Sequence, residues 1–182
     1  MKQNLEIIKI GVFLMAICVI ASLALALTNK TTAPLIAEQK RVAQEQAIKD
    51  VLPGAAKFDE KNLPDGSKLF IGKNSEGKMI GKATKSVRKG YSGPISIMVG
   101  VDPEYKTTGI MILEMTETPG LGAKTKDPMF TSQFKGKTAD QLYLKAKDAK
   151  IGEIDAITAA TISSKAVTAG VREAVEAMKN AK

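Results

Sequence analysis

From Ile10 to Asn29 the chain carries no charged residue, and nothing else in the sequence limits so tightly what it can become. Twenty residues at ~1.5 Å rise per residue cover the ~30 Å hydrocarbon core of a bilayer. The run therefore predicts a transmembrane helix over 10–29, preceded by a short N-terminal segment, 1–9. A cleaved signal peptide is the rival reading. Lys2 and Lys9 make a basic n-region, and Ala24-Leu25-Ala26-Leu27-Thr28 places small residues near the end, as a cleavage site requires. The length of the run favours an uncleaved anchor. Charge bias leaves orientation open, because Lys2 and Lys9 precede the span while Lys30, Lys40 and Arg41 follow it.

Beyond the anchor, 182 residues leave room for one domain of moderate size. Leu35, Ile36, Val42, Ala43, Ile48, Val51 and Leu52 recur at roughly helical intervals, with Pro34 near the start and Pro53-Gly54 after the end. These are helix start and stop signals, so residues 30–54 are expected to form a connecting amphipathic helix and 55–182 the domain.

Composition removes several classes of chemistry. Cys18 is the only cysteine and lies in the apolar run, and there is no histidine. A disulfide framework, an iron–sulfur cluster and ordinary zinc or haem sites are thereby excluded. A hydrolase built on a threonine or serine would lack a histidine base. If this chain moves electrons, the carrier must be organic. The net charge is +8 with few aromatics, and no basic run is interleaved with rings, which argues against stacking on single-stranded nucleic acid. A lysine-rich solvated surface, suited to lying near anionic lipid, explains the charge.

Residues 68–84 contain Gly72, Gly77 and Lys78 at G-x-x-x-x-G-K spacing. A phosphate-binding loop needs Ser or Thr next and then a helix, whereas Met79 follows and the stretch to Thr84 is strand-like. A β-hairpin turning at Asn74–Gly77 is expected instead. Strands are also expected over Ile95–Val101 and Gly109–Met115, joined through Asp102-Pro103-Glu104, in an antiparallel sheet buried largely on one face. Met129, Phe130 and Phe134 suggest a short helix packed in the core. Residues 135–150, with Leu142 and Leu144, read as a structural connection.

Two further stretches carry candidate chemistry. In Asp155 to Val167, small hydroxylated residues run into a helix whose stripe is Val167, Val171, Ala174, Val175 and Met178. Thr161 falls at or near its N-cap. Unpaired N–H groups and the dipole at a helix start suit a phosphate, and Ala159-Ala160 lets a bulky group approach. Ordinary capping by Thr161 explains the same residues. In Glu117-Thr118-Pro119-Gly120-Leu121-Gly122, two glycines flank an apolar side chain, making a loop that can meet a flat ring closely with free backbone groups.

Asp155, Thr158, Ala159, Ala160, Thr161 and Ser163, with Ser164 directly after, match D-x-x-[TS]-[GA]-A-T-x-[ST], the flavinylation motif of the FMN-binding domain family. The chain resembles that family again in Glu117 to Gly122 and in Gly90-Tyr91-x-Gly93-Pro94-Ile95, and departs from its commonest form in Ala159, where Gly is more usual. The resemblance implies an α+β domain, an antiparallel sheet flanked by helices behind a single transmembrane helix. It also implies FMN held covalently by Thr161 through a phosphoester, with the ring cradled by Thr118, Gly120, Leu121 and Gly122. Thr158 and Ala160 would complete the cofactor site, and Asp155 and Ser164 would be read by a flavin transferase. One anchor and one flavin domain are most similar to the G subunits of Rnf-type ion-motive ferredoxin:NAD oxidoreductases; the related C subunits of sodium-translocating NADH:quinone reductases are usually longer. The role so implied is that of an electron carrier within a complex rather than a catalyst on its own. Its partners would be the other membrane and peripheral subunits, its site the cell membrane, its N-terminus cytoplasmic and its flavin domain extracytoplasmic. A stand-alone extracytoplasmic carrier, and a non-redox anchored module holding a soluble anion at the Thr161 helix start, remain as alternatives.

Overall fold

A computed structural model describes residues 2–62, 66–145 and 152–181, with side chains from residue 6 onward. The chain divides into two compact units, one ending at Val42 and one running from Ala43.

The first unit is helical throughout, as part of α1, Lys2–Val51. Its apolar side chains from Ile7 to Leu27 are all exposed, and the helix is long and apolar enough to cross a membrane. No break occurs at Pro34, expected from sequence in the first turn of a separate helix. Pro34 removes one backbone bond, at a cost of ~3 kcal/mol or more in a helix interior, while the apolar run before it and the amphipathic run after it both favour helix. Nearby hydroxyls also bond back onto the helix: Thr28 Oγ1 donates to Ala24 O at 2.9 Å and Thr32 Oγ1 to Thr28 O at 2.9 Å.

The second unit begins with the last turns of α1 rather than at residue 55. A five-stranded antiparallel meander follows, β1 (Lys57–Asn62), β2 (Lys68–Lys73), β3 (Met79–Lys89), β4 (Pro94–Val101) and β5 (Thr107–Glu114), in sheet order 1-2-3-4-5. The β2–β3 turn is the expected hairpin. Asn74 Oδ1 accepts the N–H groups of Glu76 at 3.0 Å and Lys78 at 2.9 Å, the Asx geometry that lets asparagine close such turns. Asp102 does the same between β4 and β5, accepting from Glu104 and Lys106.

β4 is buried on both faces, which corrects the expectation of a sheet covered on one. Ile95, Ile97, Val99 and Val101 pack with Val167, Val171, Ala174, Val175 and Met178 of α3 (Thr161–Asn180). On the opposite face Met98 packs with Ala47, Ile48, Val51 and Leu52. The stripe predicted for α3 is the one buried. The Thr108 hydroxyl donates to Val51 O, satisfying a carbonyl left open at the end of α1.

Between β5 and α3 the chain forms short helical turns, Gly122–Lys126, α2 (Pro128–Thr131), Ser132–Phe134 and Ala139–Gln141. Phe130 and Phe134 are buried edge to face at 5.4 Å, whereas Met129, grouped with them from sequence, is 86% exposed. Leu142 is fully buried and Leu144 bridges to Ile154 in parallel. The remainder of the predicted connection, 146–150, lies outside the described residues.

Candidate functional site

The N-terminus of α3 is built without help from Thr161. Ala160 is the N-cap, with φ −134° and ψ 36°, and Thr161 is the first helical residue. The first intrahelical bond runs from Ser164 N–H to Ala160 O at 2.9 Å. Ser164, fully buried, then ties the preceding turn to the helix: its hydroxyl donates to Ala160 O at 3.0 Å and accepts from Ile157 N–H at 3.1 Å. The Ala160 N–H closes that turn on Ile157 O at 3.0 Å, with Ala159 in the left-handed region at φ 62°. The capping reading is therefore corrected. Thr161 is exposed, and its hydroxyl has no hydrogen-bond partner among the described residues.

Opposite, the Thr118–Gly122 loop is folded on its own backbone. Leu121 N–H and Ala123 N–H both donate to Thr118 O at 3.2 Å, and Lys124 N–H to Leu121 O at 3.0 Å. Part of the loop's polar backbone is thus engaged, where the sequence suggests free groups. Gly120 takes φ 79° at the turn, a conformation that costs most other residues ~1–2 kcal/mol.

These segments line one cleft of about 420 Å³, within the ~300–1,000 Å³ usual for small-molecule sites. Of the residues singled out from sequence, Thr118, Leu121, Gly122, Ala159, Ala160 and Thr161 line it. Gly120 shapes the loop without lining the cleft. Thr158 and Asp155 border a second cleft of about 550 Å³, across from Lys124, Met129 and Gln133. Asp155 is exposed, paired with Lys145 Nζ at 2.7 Å, and its N–H donates to Gln133 Oε1 at 2.7 Å. Ser164 reaches neither cleft. Glu153, just before, is held by Lys137 and by Gln141 Nε2 at 2.8 Å, and the bond from Lys137 keeps its carboxyl below the ordinary range.

Four lining residues are not assigned to the site by sequence: Tyr91, Glu117, Ile162 and Ser163. Ile162 carries a signal, an apolar side chain off the buried stripe and 55% exposed. Ser163 Oγ donates to Glu117 Oε2 at 2.6 Å, joining the two segments across the cleft floor. That pairing spans 46 positions and has no local signature.

An antiparallel sheet with a long helix packed on it and a cleft at that helix's N-terminus is the frame in which the relatives of this chain are recognised. Residues 90–176 match the FMN-binding domain family, and residues 1–51 match the RnfG N-terminal region. The G subunit of a Na⁺-translocating ferredoxin:NAD⁺ oxidoreductase complex from Acetobacterium woodii is 36% identical, the match covering 96% of this chain and 92% of that one. The G subunit of a proton-translocating ferredoxin:NAD⁺ oxidoreductase complex from Clostridium ljungdahlii is 35% identical over 96% and 93%. The chain belongs to this RnfG family. The fold is shared with the C subunit of the Na⁺-translocating NADH-quinone reductase from Parabacteroides distasonis, at TM-score 0.52 and 24% identity over 62% of this chain and 61% of that one. The N-terminal helix is accordingly a membrane anchor.

Proposed function

We propose that this chain is the G subunit of an Rnf-type ion-translocating ferredoxin:NAD oxidoreductase, carrying FMN covalently on Thr161 and relaying electrons within the complex. The observation that carries the reading is the Thr161 hydroxyl, exposed and unpartnered among the described residues at the head of a cleft lined by Thr118, Leu121 and Gly122. A capping threonine would have its hydroxyl engaged.

The residues present fit the group. Thr161, Ile162 and Ser163 occupy the first three helical positions, whose N–H groups lack intrahelical acceptors. A phosphoester on Thr161 would lie beside these donors and the positive end of the helix dipole. Attachment forms a bond from Thr161 Oγ1 to the phosphorus of an activated FMN ester handled by a flavin transferase. The bond from phosphorus to the leaving group breaks, and the hydroxyl proton departs with that group. The chain gains FMN less one water. When bound, the flavin ring supplies the electron-accepting chemistry; the chain holds the phosphate, presents the Thr118–Gly122 loop and Ala160 to the ring, and narrows access by water. The Ala159 to Thr161 stretch leaves room for the bulky ester, while Asp155 and Thr158, exposed on the same loop, are within a transferase's reach.

Relatives named for sodium and for proton translocation both match along most of their length, which supports a role common to complexes that move either ion. The other membrane and peripheral subunits are its partners, and the flavin domain stands on the extracytoplasmic side of the cell membrane. The test compares Thr161→Ala with Thr161→Ser in a host expressing a flavin transferase. Alanine removes all covalent flavin and changes stability by no more than ~0.5 kcal/mol, as expected for an exposed side chain without partners. Serine retains attachment. Covalent flavin on the alanine variant would contradict the assignment.

A further inference from the structure

Among the described residues Glu117 is the only ionisable side chain that is buried, at 7% exposure. It has no ion pair there. Burying a carboxylate is costly unless hydrogen bonds compensate, and here both oxygens are used. Oε2 accepts from Ser163 Oγ at 2.6 Å and Oε1 from Ser92 N–H at 3.1 Å. The sequence is shaped around these oxygens. A Cβ on Gly122 would lie 2.5 Å from Oε2 and 2.6 Å from Ser163 Oγ, and one on Gly90 would overlap Oε1. Three segments distant in sequence, the Gly90–Gly93 turn, the Thr118–Gly122 loop and the first turn of α3, thus meet on one side chain. That side chain also lines the cleft. An apolar residue could join the three segments without the desolvation cost, so the placement of a carboxylate calls for a further reason.

We propose that Glu117 is the positioning residue of the flavin cleft: it locks the three walls together and sets a negative charge beside the bound ring, making the ring harder to reduce. The inference rests on the FMN reading above. A fixed charge in a poorly solvated wall acts on its neighbours more strongly than in water, and added electron density on the ring is opposed by it. Ser163, donating to the carboxylate, moderates that charge.

The experiment uses the full-length protein co-expressed with a flavin transferase, with the midpoint potential and absorption spectrum read on the loaded fraction. Glu117→Gln keeps the volume and an acceptor for Ser92 while removing the charge, and its potential is expected to shift to a more positive value. A loaded variant with wild-type potential and spectrum overturns the proposal. Should Glu117→Gln not fold, Ser163→Ala leaves the charge and removes its donor; a shift to more negative potential is expected, and no shift overturns the proposal. Independently of flavin, amide hydrogen exchange at Ser92 in unloaded protein should quicken at least about tenfold in Glu117→Ala, the loss of one ~1.4 kcal/mol hydrogen bond. Unchanged protection refutes the positioning role. Wild-type protein that takes up no flavin would count against the FMN reading instead, and the exchange result would then decide on Glu117 alone.

Discussion

The two segments that meet at the Thr161 cleft differ in the balance of backbone and side-chain bonds that holds them. Thr118–Gly122 is closed chiefly by its own backbone, through bonds to Thr118 O and a left-handed glycine, with one side-chain bond from Thr125 Oγ1 to Gly122 O at 2.8 Å, while Leu121 itself stays exposed. Asp155–Ser164 has backbone bonds at Ala160 and Ser164 but is tied to its surroundings by side chains: Gln133 on Asp155, Ser164 on Ile157 and Ala160, and Ser163 on Glu117. The first should tolerate side-chain changes except where a Cβ has no space, and the second should fail when single polar groups are removed.

The sharpest way to break the contrast is Gly122→Ala. Its added methyl has Glu117 and Ser163 within 2.6 Å, and overpacking of this kind costs up to ~3 kcal/mol; denaturant unfolding measures it, and a change below ~0.5 kcal/mol would show that the loop yields. Next is Ser164→Ala against Thr118→Ala. The first leaves the Ile157 N–H without its partner, a loss of ~2 kcal/mol, and the second stays within ~0.5 kcal/mol. Equal losses would erase the distinction.

Ala159→Gly sharpens the comparison in the other direction. At φ 62° an alanine is strained by ~1–2 kcal/mol, part of which glycine returns as flexibility of the unfolded chain. A net gain of ~0.5 kcal/mol in unfolding free energy is expected, and a loss would mean that the turn relies on the methyl group. The smallest effect belongs to Glu153, just ahead of the side-chain-held segment. Its carboxyl is held below the ordinary range by Lys137, then Gln141. A group depressed in the folded state contributes stability above its ordinary value and loses it as pH falls through the lowered one. Glu153→Gln should therefore lower the unfolding midpoint slightly at neutral pH, with the difference closing in acid; a difference that grows in acid would contradict this sign.

The same division decides what is legible in the sequence. The α3 stripe, the Asn74 hairpin and the Asp102 turn are local patterns, and each appears as read. β1 escapes sequence reading because, of Lys57 to Asn62, only Phe58 is apolar, as befits an exposed edge strand. β4 reads as half-buried because nothing near it in sequence reveals that Ile48, Val51 and Leu52 cover its far side. At the site, Thr161 and the Gly120–Gly122 loop are visible as motifs. Glu117 stands in the same motif, but its role depends on Ser92 and Ser163, 25 and 46 positions away. Ser164, expected from sequence to be a recognition residue, lies fully buried, where its bonds to Ile157 and Ala160 account for a hydroxyl at that position.

The central claim is that Thr161 carries the flavin, and the most direct measurement is intact mass with peptide mapping of the full-length protein from a host expressing a flavin transferase. The account predicts a mass increase of FMN less one water, confined to the peptide that contains Thr161. An unmodified, colourless protein from that host, or flavin located on another residue, would contradict it.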